Sequence, residues 1–123
     1  MLNKPKHNLF KNTVYALEGL VDVTKNEASF KWQLSGFVVF GIISWILPIE
    51  FKYQAILFGS LFIMILSEII NSAIERVVDL VTQDYHILAK QAKDVGASIV
   101  FVSFILTIFI WGSTLLLAFG IVN

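Results

Sequence analysis

Cysteine is absent from the 123 residues, which excludes disulfides, thiolate metal sites and cysteine nucleophiles. Proline occurs only twice: Pro5 interrupts a short polar N-terminal arm, and Pro48 punctuates the end of an apolar run. There is no GxxxxGK[ST] stretch and no glycine-rich dinucleotide loop, so any nucleotide must be held without the usual soluble machinery. Nine basic and nine acidic residues cancel, and net charge therefore argues for neither nucleic acid nor a generally anionic partner. The opening MLNKPKHN lacks the apolar core and small-residue cleavage site of a secretory signal, so the N terminus is expected to stay in the mature protein. No repeat, low-complexity tract or linker divides the chain, which reads as one domain over 1–123.

Hydrocarbon dominates what is present. With 57% hydrophobic residues and a mean hydropathy of +0.78, the composition lies above the soluble range and predicts an all-α membrane protein. Met1 to Asn8 is expected to be a loose basic arm whose Lys4 and Lys6 reach lipid headgroups. Over 9–26, Phe10, Val14, Leu17, Leu20, Val21 and Val23 recur at helical spacing, with Lys11, Glu18, Asp22 and Lys25 opposite. That pattern predicts an amphipathic surface helix, its Glu18 and Asp22 paired with Lys11 and Lys25. Charge-free runs over 32–49, over 53–67 with a continuation through an acidic stripe to about Leu80, and over 95–123 then predict transmembrane helices at about 30–48, 54–80 and 95–121. Between the second and third, Val81 to Lys93 reads as extramembranous, a turn plus a helical segment. Lys4, Lys6, Lys11, Lys25, Lys31, Arg76, Lys90 and Lys93 fall on one side of this topology and Lys52 alone on the other. The bias makes the N terminus cytoplasmic and the C terminus external.

Polar residues interrupt the hydrocarbon in one place, MILSEIINSAIERVVD, from Met64 to Asp79. At 100° per residue, Glu68, Asn71, Ser72, Glu75 and Asp79 share one stripe, roughly 16 Å long at ~1.5 Å per residue. A charge near a bilayer centre costs at least ~2.5–3.5 kcal/mol, so Glu68 must be protonated, paired or set in a hydrated cleft. The bland alternative is an amphipathic helix of a soluble bundle with its polar face in water. Glu27, at the mouth of the first transmembrane helix, and Lys93-Asp94, at the mouth of the third, should meet this stripe in a compact bundle. Carboxylates from two helices suit a hard cation such as magnesium, which binds through one or two carboxylates plus phosphate oxygens. A lysine alongside suits a phosphate, and a deeper carboxylate, Glu68, suits a general base. Each has an ordinary reading too: Glu27 as an interfacial ion pair with Lys25 and Lys31, and Lys93-Asp94 as a helix start. His7 and His86 have no ligand-spaced partners, and Tyr15, Trp32 and Tyr85 are interfacial anchors before they are ligand contacts.

At these residues the sequence resembles the small prokaryotic diacylglycerol kinases and their undecaprenol kinase relatives. The resemblance rests on Asn26-Glu27-Ala28 with Phe30, on Glu68-Ile-Ile-Asn71-Ser72-Ala73-Ile74-Glu75 followed by Val78-Asp79, and on Tyr85-His86 leading to Ala92-Lys93-Asp94 with Gly96. It covers nearly the whole chain. It implies a homotrimeric enzyme of the bacterial inner membrane, with composite sites between protomers, transferring the γ-phosphoryl of MgATP to a lipid hydroxyl. By the same resemblance Glu68 is the catalytic base, Asn71 a polar active-site residue, and Glu27 and Glu75 the metal-binding carboxylates. The nucleotide contacts it implies are Tyr15, Glu27, Glu75, Asp84, Tyr85, His86, Lys93 and Asp94. The lipid contacts are Ser29, Phe30, Trp32, Gln33, Glu68 and Ala97.

Two positions depart from the family's pattern. Asn8 stands where the diacylglycerol kinases carry an arginine, which Lys6 or Lys11 would replace, and Trp32-Gln33 stands where they carry an acidic residue after Gln. The aromatic at Trp32 is similar to the undecaprenol branch and leaves the acceptor open between diacylglycerol and undecaprenol. From another class, a small ion-conducting or proton-relay oligomer would also use Glu68 and Glu75, but it leaves Lys93-Asp94 unexplained.

Overall fold

The computed structural model describes residues 8–123; of the basic arm read at the N terminus, only Asn8 falls among them. Four helices follow in order: α1 Leu9–Asn26, α2 Ala28–Ile46, α3 Phe51–Val81 and α4 Ile87–Ala118. No strand occurs among the described residues.

Each boundary has a local cause. Asn8, the residue that departs from the expected arginine, is the N-cap of α1: its Oδ1 accepts from the backbone N–H groups of Phe10 at 3.0 Å and Lys11 at 3.2 Å, satisfying two otherwise orphaned donors. Glu27 adopts an extended backbone between α1 and α2 and turns the chain. After α2, the Gln54 side chain reaches back from α3 to donate to the carbonyls of Trp45 and Leu47, so the tight Leu47–Glu50 loop leaves few bare carbonyls. His86 caps α4, its Nδ1 accepting from Leu88 N–H at 3.1 Å. The helix stops because Gly120 takes φ +68. Gly120 N–H then bonds Leu117 and Ile121 N–H bonds Leu116, the Schellman pattern that ends a helix on a left-handed glycine.

The segment read as a turn plus a helical piece before a helix at 95 is partly fused to it: α4 runs unbroken from Ile87. At ~1.5 Å per residue, α3 and α4 are each roughly 46–48 Å long against a hydrocarbon core of about 30 Å. Both therefore project beyond the apolar slab, and their ends carry every charge except that of the deeper Glu68.

Helices α2, α3 and α4 are long and apolar enough to cross a membrane. The bundle is built around α3, which packs against α4 and α2, with α1 against α2. Phe37, Phe58, Phe62 and Trp45 join α2 to α3 with ring centroids 4.9–5.7 Å apart, and Phe40 meets Trp111 of α4 edge-on at 5.5 Å. Trp111 Nε1 also donates to Ser60 Oγ at 3.0 Å.

The distribution of polarity is the reverse of a soluble bundle. Buried side chains include Ser44, Ser60, Ser67, Glu68, Asn71, Ser72 and Thr114, whereas Phe101, Val102, Ile108, Phe109 and many other large apolar groups face outward. Water would penalise that surface and hydrocarbon accepts it. The buried hydroxyls of Ser44, Ser60 and Ser67 return to carbonyls of their own helix at 2.6–2.8 Å, as a medium without water requires. The soluble-bundle alternative therefore fails.

Candidate active site

The polar stripe lies where the three long helices leave the apolar slab, and it is graded by depth. Glu68 is 5% exposed and Asn71 8%; Glu75 and Asp79, one and two turns further on, are exposed. Among the described residues no hydrogen bond or ion pair reaches the Glu68 carboxylate. The side chain is thus largely withdrawn from solvent and its carboxylate has no protein partner, the kind of environment in which a carboxylate can serve as a base.

Three further groups of side chains form on the helices that bear it. The first joins α3 to the α1–α2 junction. Ser72 Oγ donates to Glu27 Oε2, Arg76 Nε donates to Glu27 Oε1 at 2.8 Å, and the Arg76 guanidinium also pairs with Asp22 of α1. The Arg76 guanidinium, and after it the Asn26 amide, hold the Asp22 carboxyl below the usual carboxylate range. This corrects two expectations. Asp22 pairs with Arg76 rather than with Lys11 or Lys25, and Glu27 with Arg76 rather than with Lys25 or Lys31. A fixed salt bridge from α3 outcompetes flexible lysines because the planar guanidinium can span two carboxylates at once.

The second group ties α3 to α4. Asn71 Nδ2 points to Glu75 Oε1 at 3.5 Å, a long contact. Its Oδ1 is buried with no hydrogen-bond partner and abuts Gly96 of α4.

The third group lines a cavity of about 390 Å³ at the α3–α4 turn, bounded by Asp84, Tyr85, His86, Lys90, Lys93 and Asp94 among others. Lys93 Nζ bonds Asp79 Oδ1 at 2.6 Å, and Lys90 Nζ bonds Asp94 at 2.6 Å. Five residues expected to contact nucleotide thus share one open polar hollow. Tyr15 does not line it; it stands exposed on α1.

The residues expected to touch lipid are divided. Trp32 is 80% exposed and Phe30 2%, so Trp32 faces outward while Phe30 is packed inside and can act on a lipid only through its neighbours. Ser29 and Ala97 are exposed. Gln33 stands at an apolar cavity of about 400 Å³ between α2, α3 and α4, with Phe37, Phe40, Leu61, Met64 and Trp111. Met64 of its lining is one helical turn before Glu68, which does not itself line the hollow.

Among the described residues no group of three or more His, Asp or Glu side chains is poised around a common metal position. Of the two carboxylates expected to hold a metal, Glu27 is bonded to Arg76 and Ser72 and Glu75 stands exposed beside Asn71, both oxygen donors of the kind a hard cation takes. Arg76, which joins Glu27 and Asp22 to α3, is the residue that the sequence reading missed, having entered it only as one cation among many. Its signal was its position one turn after Ser72, beside the acidic stripe.

Comparison with known proteins identifies a family. The family described as prokaryotic diacylglycerol kinase matches residues 14–115. The chain is 31% identical over 112 residues to the diacylglycerol kinase of Escherichia coli K12, covering 91% of this chain and 92% of that one. It is 32% identical over 109 residues to that of Haemophilus influenzae, covering 88% and 92%. It is 35% identical over 109 residues to that of Helicobacter pylori J99, covering 88% and 84%.

Proposed function

The chain belongs to the prokaryotic diacylglycerol kinase family, and we propose that this membrane kinase transfers the γ-phosphoryl group of MgATP to the hydroxyl of 1,2-diacylglycerol, giving phosphatidic acid. Glu68 accepts the proton of the attacking hydroxyl. Its burial keeps water from competing as acceptor, and the apolar hollow lined by Met64, one turn away, suits an alcohol that arrives from the bilayer with its acyl chains attached. Phosphoryl transfer asks the protein mainly for alignment and charge compensation. Lys93 supplies a positive charge toward phosphate once released from Asp79, with Asp84, Tyr85, His86 and Asp94 framing the nucleotide. Tyr15 completes the frame from α1 or from a neighbouring subunit.

Glu27 and Glu75 are the residues that would hold magnesium, with Asn71 keeping Glu75 in place through Nδ2. Held there, the ion would supply positive charge to offset that of the phosphates. We place the N terminus in the cytoplasm by the distribution of Lys and Arg, so that the charged end of the bundle meets cytosolic ATP. The working unit is proposed to be a homotrimer, since three slender helices leave Glu75, Tyr85 and Trp32 exposed.

The observation that carries this reading is the unpaired, 5% exposed Glu68 on the helix that also bears Glu75 and faces Lys93. Undecaprenol is the second acceptor to consider, favoured by the exposed aromatic at Trp32. Purified protein in lipid, offered diacylglycerol and undecaprenol together with labelled ATP, should label diacylglycerol, and Glu68→Gln should abolish the label. Labelling of undecaprenol alone would replace the acceptor. Ion flux across vesicles without lipid phosphorylation would replace the reaction.

A further inference from the structure

Seven glycines occur in the chain, and an ideal Cβ added to five of them, Gly19, Gly36, Gly59, Gly112 and Gly120, meets nothing within 4 Å. At Gly41 it meets the edge of the Phe58 ring at 3.4 Å, an ordinary contact. Gly96 is different. A Cβ there would lie 2.6 Å from Asn71 Oδ1, 3.3 Å from Ile74 Cγ2 and 3.6 Å from Ile74 Cβ. The first distance is inside van der Waals contact, and Gly96 is buried, so a side chain could be admitted only by turning the amide or parting the helices.

We infer that Gly96 is a positioning residue for phosphoryl transfer: its missing side chain is the socket that holds the Asn71 carboxamide, oxygen against α4 and nitrogen toward Glu75. This rests on the functional reading given above. Asn71 Oδ1 is the one buried side-chain polar atom left without a hydrogen-bond partner among the described residues. An amide oxygen denied an N–H donor keeps that place only if something else fixes it. The α4 backbone at Gly96 does so, and a Cα–H group offers such an oxygen a weak contact in partial compensation. With the oxygen stopped, Nδ2 is left facing Glu75 Oε1.

The same close approach sets the register of α4 on α3. Lys93, three residues before Gly96, reaches Asp79 Oδ1 at 2.6 Å, two turns along α3 from Asn71. The socket therefore positions the amide that steadies Glu75 and the lysine assigned to phosphate together. Gly96 touches no substrate and acts through Asn71.

The test measures turnover, KM and thermal stability of Gly96→Ala in lipid, with Gly59→Ala as a helix-glycine comparison and Glu68→Gln as the check on the reaction. A misplacement near 1 Å costs about 10²-fold in turnover. Gly96→Ala should lose kcat on that scale with KM for lipid nearly unchanged, and Gly59→Ala should keep wild-type turnover. Where Gly96→Ala assembles poorly, the Asn71→Ala/Gly96→Ala double variant, which has room for the new Cβ, should regain assembly and melting temperature. Wild-type kcat in Gly96→Ala, equal losses in Gly59→Ala, or no recovery in the double variant would each overturn the inference. If Glu68→Gln stays active, the kinase mechanism fails; if Glu68→Gln is dead while Gly96→Ala is normal, only the socket does.

Discussion

Arg76 of α3 donates from Nε to Glu27 Oε1 at 2.8 Å, so a carboxylate assigned to the metal is already engaged by a cation of its own chain. The same guanidinium grips Asp22 of α1. Arg76 thus fastens the surface helix to the central one, and it competes with any metal at Glu27.

That competition gives a direction. Arg76→Ala should lower the magnesium concentration needed for half-maximal activity. Arg76 and Asp22 are about half exposed, so the effect should be only about two- to fivefold. A magnesium titration of phosphorylation rate checks it. An unchanged or increased requirement would mean that Arg76 assists the metal rather than opposing it.

Replacing the buried base should separate activity from folding. Glu68→Gln is expected to lower kcat by about 10²–10⁴-fold, the usual contribution of general-base catalysis. Thermal stability should hold or rise, because an unpaired carboxylate in an apolar setting gives way to a neutral group of the same shape. Turnover and a melting curve on one preparation check both halves.

Asp22 is held below its ordinary carboxylate range by Arg76 and Asn26. A carboxyl lowered in the folded state adds stability above its unfolded pKa and loses it as pH falls through the lower folded value. Attachment of α1 should therefore be constant through neutral pH and weaken only in acid, below the usual aspartate range. Asp22→Asn should show the weaker attachment at neutral pH. Hydrogen exchange of the α1 amides against pH reads this directly.

Lys93 is tied to Asp79 at 2.6 Å and lines the polar hollow. Lys93→Ala should raise KM for ATP and lower kcat/KM by about 10–100-fold, as loss of a phosphate contact does at roughly 1.4 kcal/mol per tenfold. Asp79→Asn should leave kcat/KM within about threefold, since it removes only the resting partner of the lysine. Equal losses in the two variants would make the pair structural.

Hydrophobic period alone delimited α1, and the single polar stripe marked Glu68, Asn71 and Glu75, because both patterns live within one helix and follow from 3.6 residues per turn. Charge-free length located α2 and α4, and α3 only when its run was carried on through the acidic stripe, although α4 began at Ile87 rather than at the first uncharged residue, since a helix does not end where a membrane does. Asn8 shows the limit of motif matching: a departure from the expected arginine turned out to be a helix cap. Contacts between helices were a different matter. Glu27 with Arg76, Asp22 with Arg76 and Gly96 with Asn71 join residues 25 to 54 positions apart. Whether such residues meet depends on how each helix is rotated about its axis and how closely the pair approaches, and both are decided by side chains packing across the interface. Residue types and their spacing determined a lipid-bathed bundle with a polar stripe; only the packed helices decided which cation neutralises which carboxylate, and which missing side chain leaves room for the amide.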